Sequence, residues 1–225
     1  MKTNKKLRVF IAGQKKFGED VLALCLAHPQ VEVVGVSCPL DDKYIGRLAT
    51  INELPVIPAG TLNGDTFPEG VDLGITAHSF DYVGRKTRYK ARLGWIGYHP
   101  SLLPLHRGRS AIEWAIRMRE PVTGGTIYWL NAGIDRGDIA YQEHIHIKPK
   151  YWAMNPKEAA RDIWFWQLEP LGVRLMKQAL DDISNGIIKR IAQDPEVSTF
   201  EPNTDVKDIY KPDLLMIEKN GSKSS

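Results

Sequence analysis

The sequence is short of cysteine, of long apolar runs and of net charge, and each shortage narrows its function. Cys25 and Cys38 are the only cysteines in 225 residues, and no CxxC spacing occurs. Thiolate zinc sites and a disulfide framework are therefore excluded, and no metal site is expected. Cys25 lies in an apolar helical pattern and Cys38 at the end of an apolar strand pattern. Both read as small buried hydrophobes in a reducing compartment. No apolar run approaches the roughly 20 residues that span a bilayer, so no membrane partner is expected. The basic start MKTNKK passes into a strand pattern cut short at Gly13 and Gln14, unlike a signal peptide. The expected location is cytoplasmic. The formal charge of +3 argues neither for nor against nucleic acid. Repeats and low-complexity blocks are missing. So is any GxGxxG, which leaves NAD unsupported.

What is present describes an ordinary globular chain, with 43% hydrophobic and 25% charged residues. LRVFIAG (7–13) reads as a buried strand. GEDVLALCLAH (18–28) reads as a helix with Glu19 and Asp20 in its first turn, and VEVVGVSC (31–38) as a second strand. Strand, helix and strand in this space predict a βαβ unit and a parallel sheet. A weak helix near 44–52 follows, then strands at 71–77 and 92–99 and a helix at 110–120. Strands at 123–131 and 138–147 alternate more, which suits an antiparallel or mixed edge. The stretch 155–186 is helical, with Pro170 expected to break or kink it and Asn185 and Gly186 to stop it. The fold class is α/β: one domain with a mostly parallel twisted sheet flanked by helices and a site at the carboxyl ends of the strands. The domain is expected over 1–202, with 203–225 a partly disordered tail.

Two loops carry the chemistry. His99 opens HPSLLPLHRG after an apolar strand, and Asp135 follows a later strand in NAGIDRGD. At one end of a sheet, an imidazole and a carboxylate can act as an acid/base pair, the carboxylate fixing the imidazole tautomer. A structural histidine and a turn aspartate are the plainer readings. Arg107 and Arg109 flank Gly108 ahead of Ser110, a candidate helix N-cap. Guanidinium and backbone donors there suit an anion, while a structural ion pair at Arg107 is the other option. The basic run GRKTRYKARLG from Gly84 reads as a solvated face or an attraction for anionic substrate. Trp114, Trp164 and Trp166 fall in helical patterns, which favours core or interface packing over base stacking.

HPSLLPLHRG and the later D-x-G resemble the catalytic domain of the folate-dependent formyltransferases, which include methionyl-tRNA and sugar N-formyltransferases. The family pattern is Asn-x-His-x-SLLP-x-x-RG, then a strand and D-x-G. His99, Ser101, Leu102, Leu103, Pro104, Arg107, Gly108, Asp135 and Gly137 match it; Gly97 stands where the pattern has asparagine. The resemblance covers roughly 7–202 and implies a Rossmann-like formyltransferase fold. It also implies catalytic roles for His99 and Asp135, with binding roles for the other matched positions and Gly97. LGITAHSFDYVG resembles the folate-binding loop, which adds Ile75, His78 and Phe80. His78 and Asn131 are candidates to replace the missing amide, as is a backbone N–H. The implied co-substrate is 10-formyltetrahydrofolate. The implied acceptor is a small-molecule amine or an aminoacyl group, so aminoacyl-tRNA is the one nucleic-acid partner considered, and a homodimer is possible. The alternatives are a formyl-folate hydrolase and a non-catalytic folate- or ligand-binding relative. The first turn, AGQKKFGEDV, and DRGD differ from the purine-synthesis members and argue against that role.

Overall fold

A computed structural model describes residues 5–79 and 81–204. Phe80 and the expected tail, from residue 205 onward, lie outside the described residues. Seven strands form one sheet: β1 Leu7–Gly13, β2 Val31–Cys38, β3 Val56–Pro58, β4 Leu73–Ala77, β5 Gly94–His99, β6 Val122–Trp129 and β7 Ile139–His146. Their order is β3-β2-β1-β4-β5-β6-β7. The first five are mutually parallel, and β6 runs antiparallel to its neighbours β5 and β7. β1 and β4 are buried almost throughout, as their nearly continuous apolar sequences require of central parallel strands. β7, at the edge, exposes Gln142, Glu143, His144 and His146.

The helices are α1 Lys15–Ala27, α2 Ile45–Ile51, α3 Arg85–Lys90, α4 Ala111–Arg117, α5 Pro156–Ile163 and α6 Glu169–Ser184. α1 begins three residues before the expected start. Asp42 reaches across from another loop and accepts the Lys15 N–H at 2.7 Å. Glu19 and Asp20 are thereby moved out of the first turn and pair with Lys16 instead, at 2.9 and 2.6 Å. The stretch 155–186 is divided as Pro170 suggests. α5, capped by the Asn155 side chain, passes through one π turn at Trp164–Leu168 into α6, where Pro170 occupies the first turn. Pro170 has no N–H to give the carbonyls one turn back, and the helix takes its wider π turn just before it. No helix among the described residues is long and apolar enough to cross a membrane.

Two apolar clusters sandwich the sheet. The larger joins Val9, Ile11, Ile75 and Ile96 to Phe17, Val21 and Leu22 of α1 and to Leu175, Met176 and Ala179 of α6. The smaller joins Phe10, Ala12 and Trp95 to Leu62, Phe67 and Val83. Phe10, Phe67 and Trp95 meet there with ring centroids 5.1 to 6.1 Å apart. Each buried Leu, Ile or Phe removed from water contributes about 1.5–3 kcal/mol, so both faces hold the sheet rigid beneath its carboxyl end. β1 lies between β2 and β4, and the chain turns back across it to start β4. The crevice that this reversal opens is where doubly wound sheets bind ligands.

Packing continues past the expected domain end. Ser110 does not cap α4 with its side chain. Its hydroxyl donates to Asn203 at 3.3 Å and accepts the Thr204 N–H at 3.1 Å. The Thr204 hydroxyl in turn donates to Glu113. Ser110 therefore fastens a C-terminal strap rather than a helix end.

Candidate active site

A cleft of about 580 Å³ opens at the carboxyl ends of β4 and β5. His99, the last residue of β5, and Asp135, in the β6–β7 turn, both line it. His99 Nδ1 lies 3.6 Å from Asp135 Oδ2, within ion-pair reach, and both side chains are largely buried. His99 Nε2 lies 2.7 Å from the carbonyl oxygen of His106. A carbonyl only accepts, so Nε2 carries the hydrogen and Nδ1 is the nitrogen that gains and loses a proton. The sequence reading gave the choice of tautomer to the carboxylate; the backbone of the His99–Gly108 loop makes it instead.

Asp135 is fixed from two sides. Oδ2 accepts the Gly108 N–H at 2.8 Å and Oδ1 accepts the Tyr128 hydroxyl at 2.7 Å. Its backbone is left-handed, with φ +52°, a conformation that aspartate tolerates better than most residues. Burial, helped by Asp135, holds the Tyr128 pKa well above the ordinary phenol value, so this hydroxyl stays a donor. Gln193 ties the turn down from behind: its amide donates to the carbonyls of Asp135 at 2.9 Å and Gly137 at 2.7 Å. Its Oε1 accepts from Arg107 Nη2 at 2.7 Å and Nε at 3.1 Å.

The other expected residues divide into cleft and scaffold. His78 lines the cleft just past β4, its ring edge-on to Trp164 with centroids 5.7 Å apart. Burial, with a smaller push from Lys15, lowers the His78 pKa to about 4, so it is neutral near pH 7. Gly108 and Arg109 line the cleft, and Asn131 stands exposed at its rim, accepting the Gly133 N–H at 2.9 Å. Ile75 is fully buried in the larger core and does not line the cleft. Ser101 donates to the Leu105 carbonyl at 2.6 Å, Leu103 is core, and the Leu103–Pro104 peptide is cis. Leu102 packs toward Gly124. Pro104 accepts the Thr199 N–H at 3.1 Å. These motif residues shape the loop without facing the cleft.

Arg107 is buried on Gln193 rather than presented to an anion. Gly137 lies where any Cβ would strike the Trp129 carbonyl. His106 is buried between Glu120 and Glu201, with N–O distances of 2.9 and 3.1 Å. No group of three or more His, Cys, Asp and Glu side chains suited to a metal ion occurs among the described residues.

Thr76, Tyr128 and Gln193 were not singled out in the sequence, and Trp164 was expected only to pack in the core or an interface. Thr76, Tyr98, Tyr128 and Trp164 line the cleft. Tyr128 and Thr76 sit in strands buried on both faces, where the pattern does not tell which face meets a site. Tyr98 donates to the Leu168 carbonyl at 2.7 Å, joining β5 to the π turn that presents Trp164.

The family model described as formyl transferase matches residues 65–162. The mitochondrial 10-formyltetrahydrofolate dehydrogenase of Mus musculus is 30% identical over 210 residues, which are 87% of this chain and 22% of that one. The methionyl-tRNA formyltransferase of Lactobacillus delbrueckii subsp. bulgaricus is 29% identical over 210 residues, 86% of this chain and 64% of that one. Thus the chain spans about a fifth of the mouse protein's length and under two thirds of the bacterial protein's. An N-formyltransferase from Helicobacter canadensis, solved with folinic acid and dTDP-3-aminofucose, shares the fold with a TM-score of 0.69. It is 20% identical, and the match covers 90% of this chain and 73% of that one. The matched segment, residues 65–162, carries both His99 and Asp135.

Proposed function

We propose that this chain transfers a formyl group from 10-formyltetrahydrofolate to an amine, with His99 and Asp135 handling the protons. The observation that carries this is the 3.6 Å approach of His99 Nδ1 to Asp135 Oδ2, with the other ring nitrogen anchored on the His106 carbonyl. The cleft's volume of about 580 Å³ is within the range of small-molecule sites. Ile112, Leu130 and Trp164 give it apolar walls, and His78 and Asn131 give it polar edges. A flat ring system with a hydrogen-bonding rim suits such a wall. The Helicobacter protein was solved with folinic acid, a formylated folate, which supports the co-substrate.

The formylated folate supplies an acyl carbon open to attack. The amine nitrogen bonds to that carbon, and the carbonyl π pair moves to oxygen. His99 Nδ1 takes the surplus proton of the amine. The imidazolium then lies between the His106 carbonyl and the Asp135 carboxylate, both of which stabilise its charge. It returns the proton to the departing folate nitrogen as the C–N bond breaks, leaving a formamide and tetrahydrofolate. Proton transfer by a positioned group contributes about 10²–10⁴-fold.

The same reading takes residues 1–202 as one catalytic domain. The acceptor is a small-molecule amine or the amine of an aminoacyl-tRNA, as the names of the relatives suggest. We assign the chain to the cytoplasm on its two buried free thiols, Cys25 and Cys38. Phe165 and Trp166, exposed side by side on the π turn, are the support for a homodimer.

The test is to supply 10-formyltetrahydrofolate with amino sugar nucleotides and with methionyl-tRNA, and to follow tetrahydrofolate. Its appearance only with an amine supports transfer. Formate release without any amine assigns hydrolysis instead. Absence of folate binding by calorimetry contradicts both.

A further inference from the structure

Strand register builds a row across the floor of the cleft. Thr76 of β4 pairs with Gly97 of β5, and Gly97 pairs with Tyr128 of β6. Paired residues share a face of a sheet, and so do residues two apart on a strand. Thr76, Gly97, Tyr128 and, two residues along β5, His99 therefore share one face of the sheet, and all of them but Gly97 line the cleft. Glycine leaves a gap in the middle of this row. A Cβ at position 97 would lie 2.4 Å from Thr76 Oγ1, 3.1 Å from Leu130 Cδ1 and 3.5 Å from Tyr128 Cε1. The Thr76 hydroxyl occupies space that a side chain at 97 would claim.

The Thr76 hydroxyl is half-buried, and its contact with the Ile96 carbonyl, at 3.5 Å, is well beyond an ordinary O–H···O bond. The other donors in the row are committed. The Tyr128 hydroxyl serves Asp135, and His99 Nδ1, unprotonated in the resting tautomer, takes up the amine's proton. Asn131 stands out at the rim. His78 lies two residues beyond Thr76, past the end of β4, and so outside the row.

Attack on a formyl carbon puts negative charge on its oxygen, which needs a donor aimed at it from a site that excludes water. We infer that the Thr76 hydroxyl is that donor and that Gly97 is the residue that keeps its space open. This rests on the formyl-transfer reading above. In the step, the carbonyl π pair moves onto oxygen as the C–N bond to the amine forms. Thr76 Oγ–H donates to that oxygen without giving up its proton. The pair returns as the bond to the folate nitrogen breaks, and His99 alone carries the transferred proton.

The experiment pairs kinetics with a complex. Thr76→Val, which keeps the shape and removes the donor, is expected to lower kcat by about 10²–10³-fold, the effect of removing one such donor. The KM for the folate is expected to change little. Thr76→Ser, which keeps a hydroxyl, restores most of the rate. Gly97→Ala lowers kcat by displacing the hydroxyl, and the Gly97→Ala/Thr76→Val double variant is no slower than Thr76→Val, because both act on one interaction. A crystal complex with the stable analogue 10-formyl-5,8-dideazafolate is expected to place the formyl oxygen within hydrogen-bond range of Thr76 Oγ1. A wild-type rate in Thr76→Val, or a formyl oxygen beyond reach of Thr76 in that complex, overturns the assignment and leaves formyl transfer standing. A wild-type protein that neither binds the analogue nor consumes 10-formyltetrahydrofolate overturns both.

Discussion

His99 and His106 are joined through a single hydrogen bond, from the ring Nε2 of the first to the backbone carbonyl of the second, at 2.7 Å. They lie seven positions apart, and the loop between closes on itself. The consequence is chemical: one imidazole nitrogen is fixed as a donor and the other is left to face Asp135. The carboxylate can then stabilise the imidazolium without having to choose the tautomer.

Tyr128 orients that carboxylate. Tyr128→Phe removes the 2.7 Å bond to Asp135 Oδ1 and leaves a largely buried oxygen with one partner fewer. An unsatisfied buried acceptor costs about 1–3 kcal/mol. The expected outcome is a fall in kcat of roughly tenfold, with folate affinity little changed. Steady-state kinetics and calorimetry on the same variant check both parts.

Gln193 links the two catalytic loops, through the Asp135 and Gly137 carbonyls on one side and Arg107 on the other. Gln193→Ala strands a buried guanidinium, and hydrogen bonds to charged groups are worth roughly 1.5–3 kcal/mol. Denaturant titration is expected to show a loss of that order. Activity should fall further than the remaining folded fraction explains, because the Asp135 turn loses its anchor.

His106 makes stability depend on pH. Burial alone would lower its pKa, but the Glu201 and Glu120 carboxylates outweigh burial and raise it above the ordinary histidine value. A raised folded pKa means that the folded state binds the proton more tightly than the unfolded state. This contribution is complete below about pH 6.5, the unfolded value, and is lost as pH rises through the folded one. Denaturation midpoints measured across that window should fall with rising pH, and His106→Gln should flatten the change. Glu201 sits in the segment beside Gly108, so limited proteolysis of residues 195–204 should speed up over the same window.

Much of this arrangement is legible in the sequence, for physical reasons that also set the limit. LRVFIAG and VEVVGVSC stand out because central parallel strands bury both faces and favour nearly continuous apolar runs, and both match β1 and β2 residue for residue. That same property hides the site. Where every position is apolar or small, alternation is lost. Ile75 could be read as a cleft wall although it faces the core, while Thr76 beside it, which faces the cleft, went unnoticed. The row Thr76–Gly97–Tyr128 depends on register between strands some 20 to 30 residues apart, which no local pattern encodes. Gln193 lies past the last periodic segment, and only the folded chain brings it behind Asp135. The SLLP run was conspicuous, but it shapes the loop from within.

The most direct test of the account is the turnover of 10-formyltetrahydrofolate by the wild-type protein and by His99→Ala, each with its folate affinity measured by calorimetry. The account predicts that His99→Ala binds the folate about as well as the wild type and loses at least about a hundredfold in kcat, the lower range of general acid/base contributions. Equal turnover by the two proteins would contradict it.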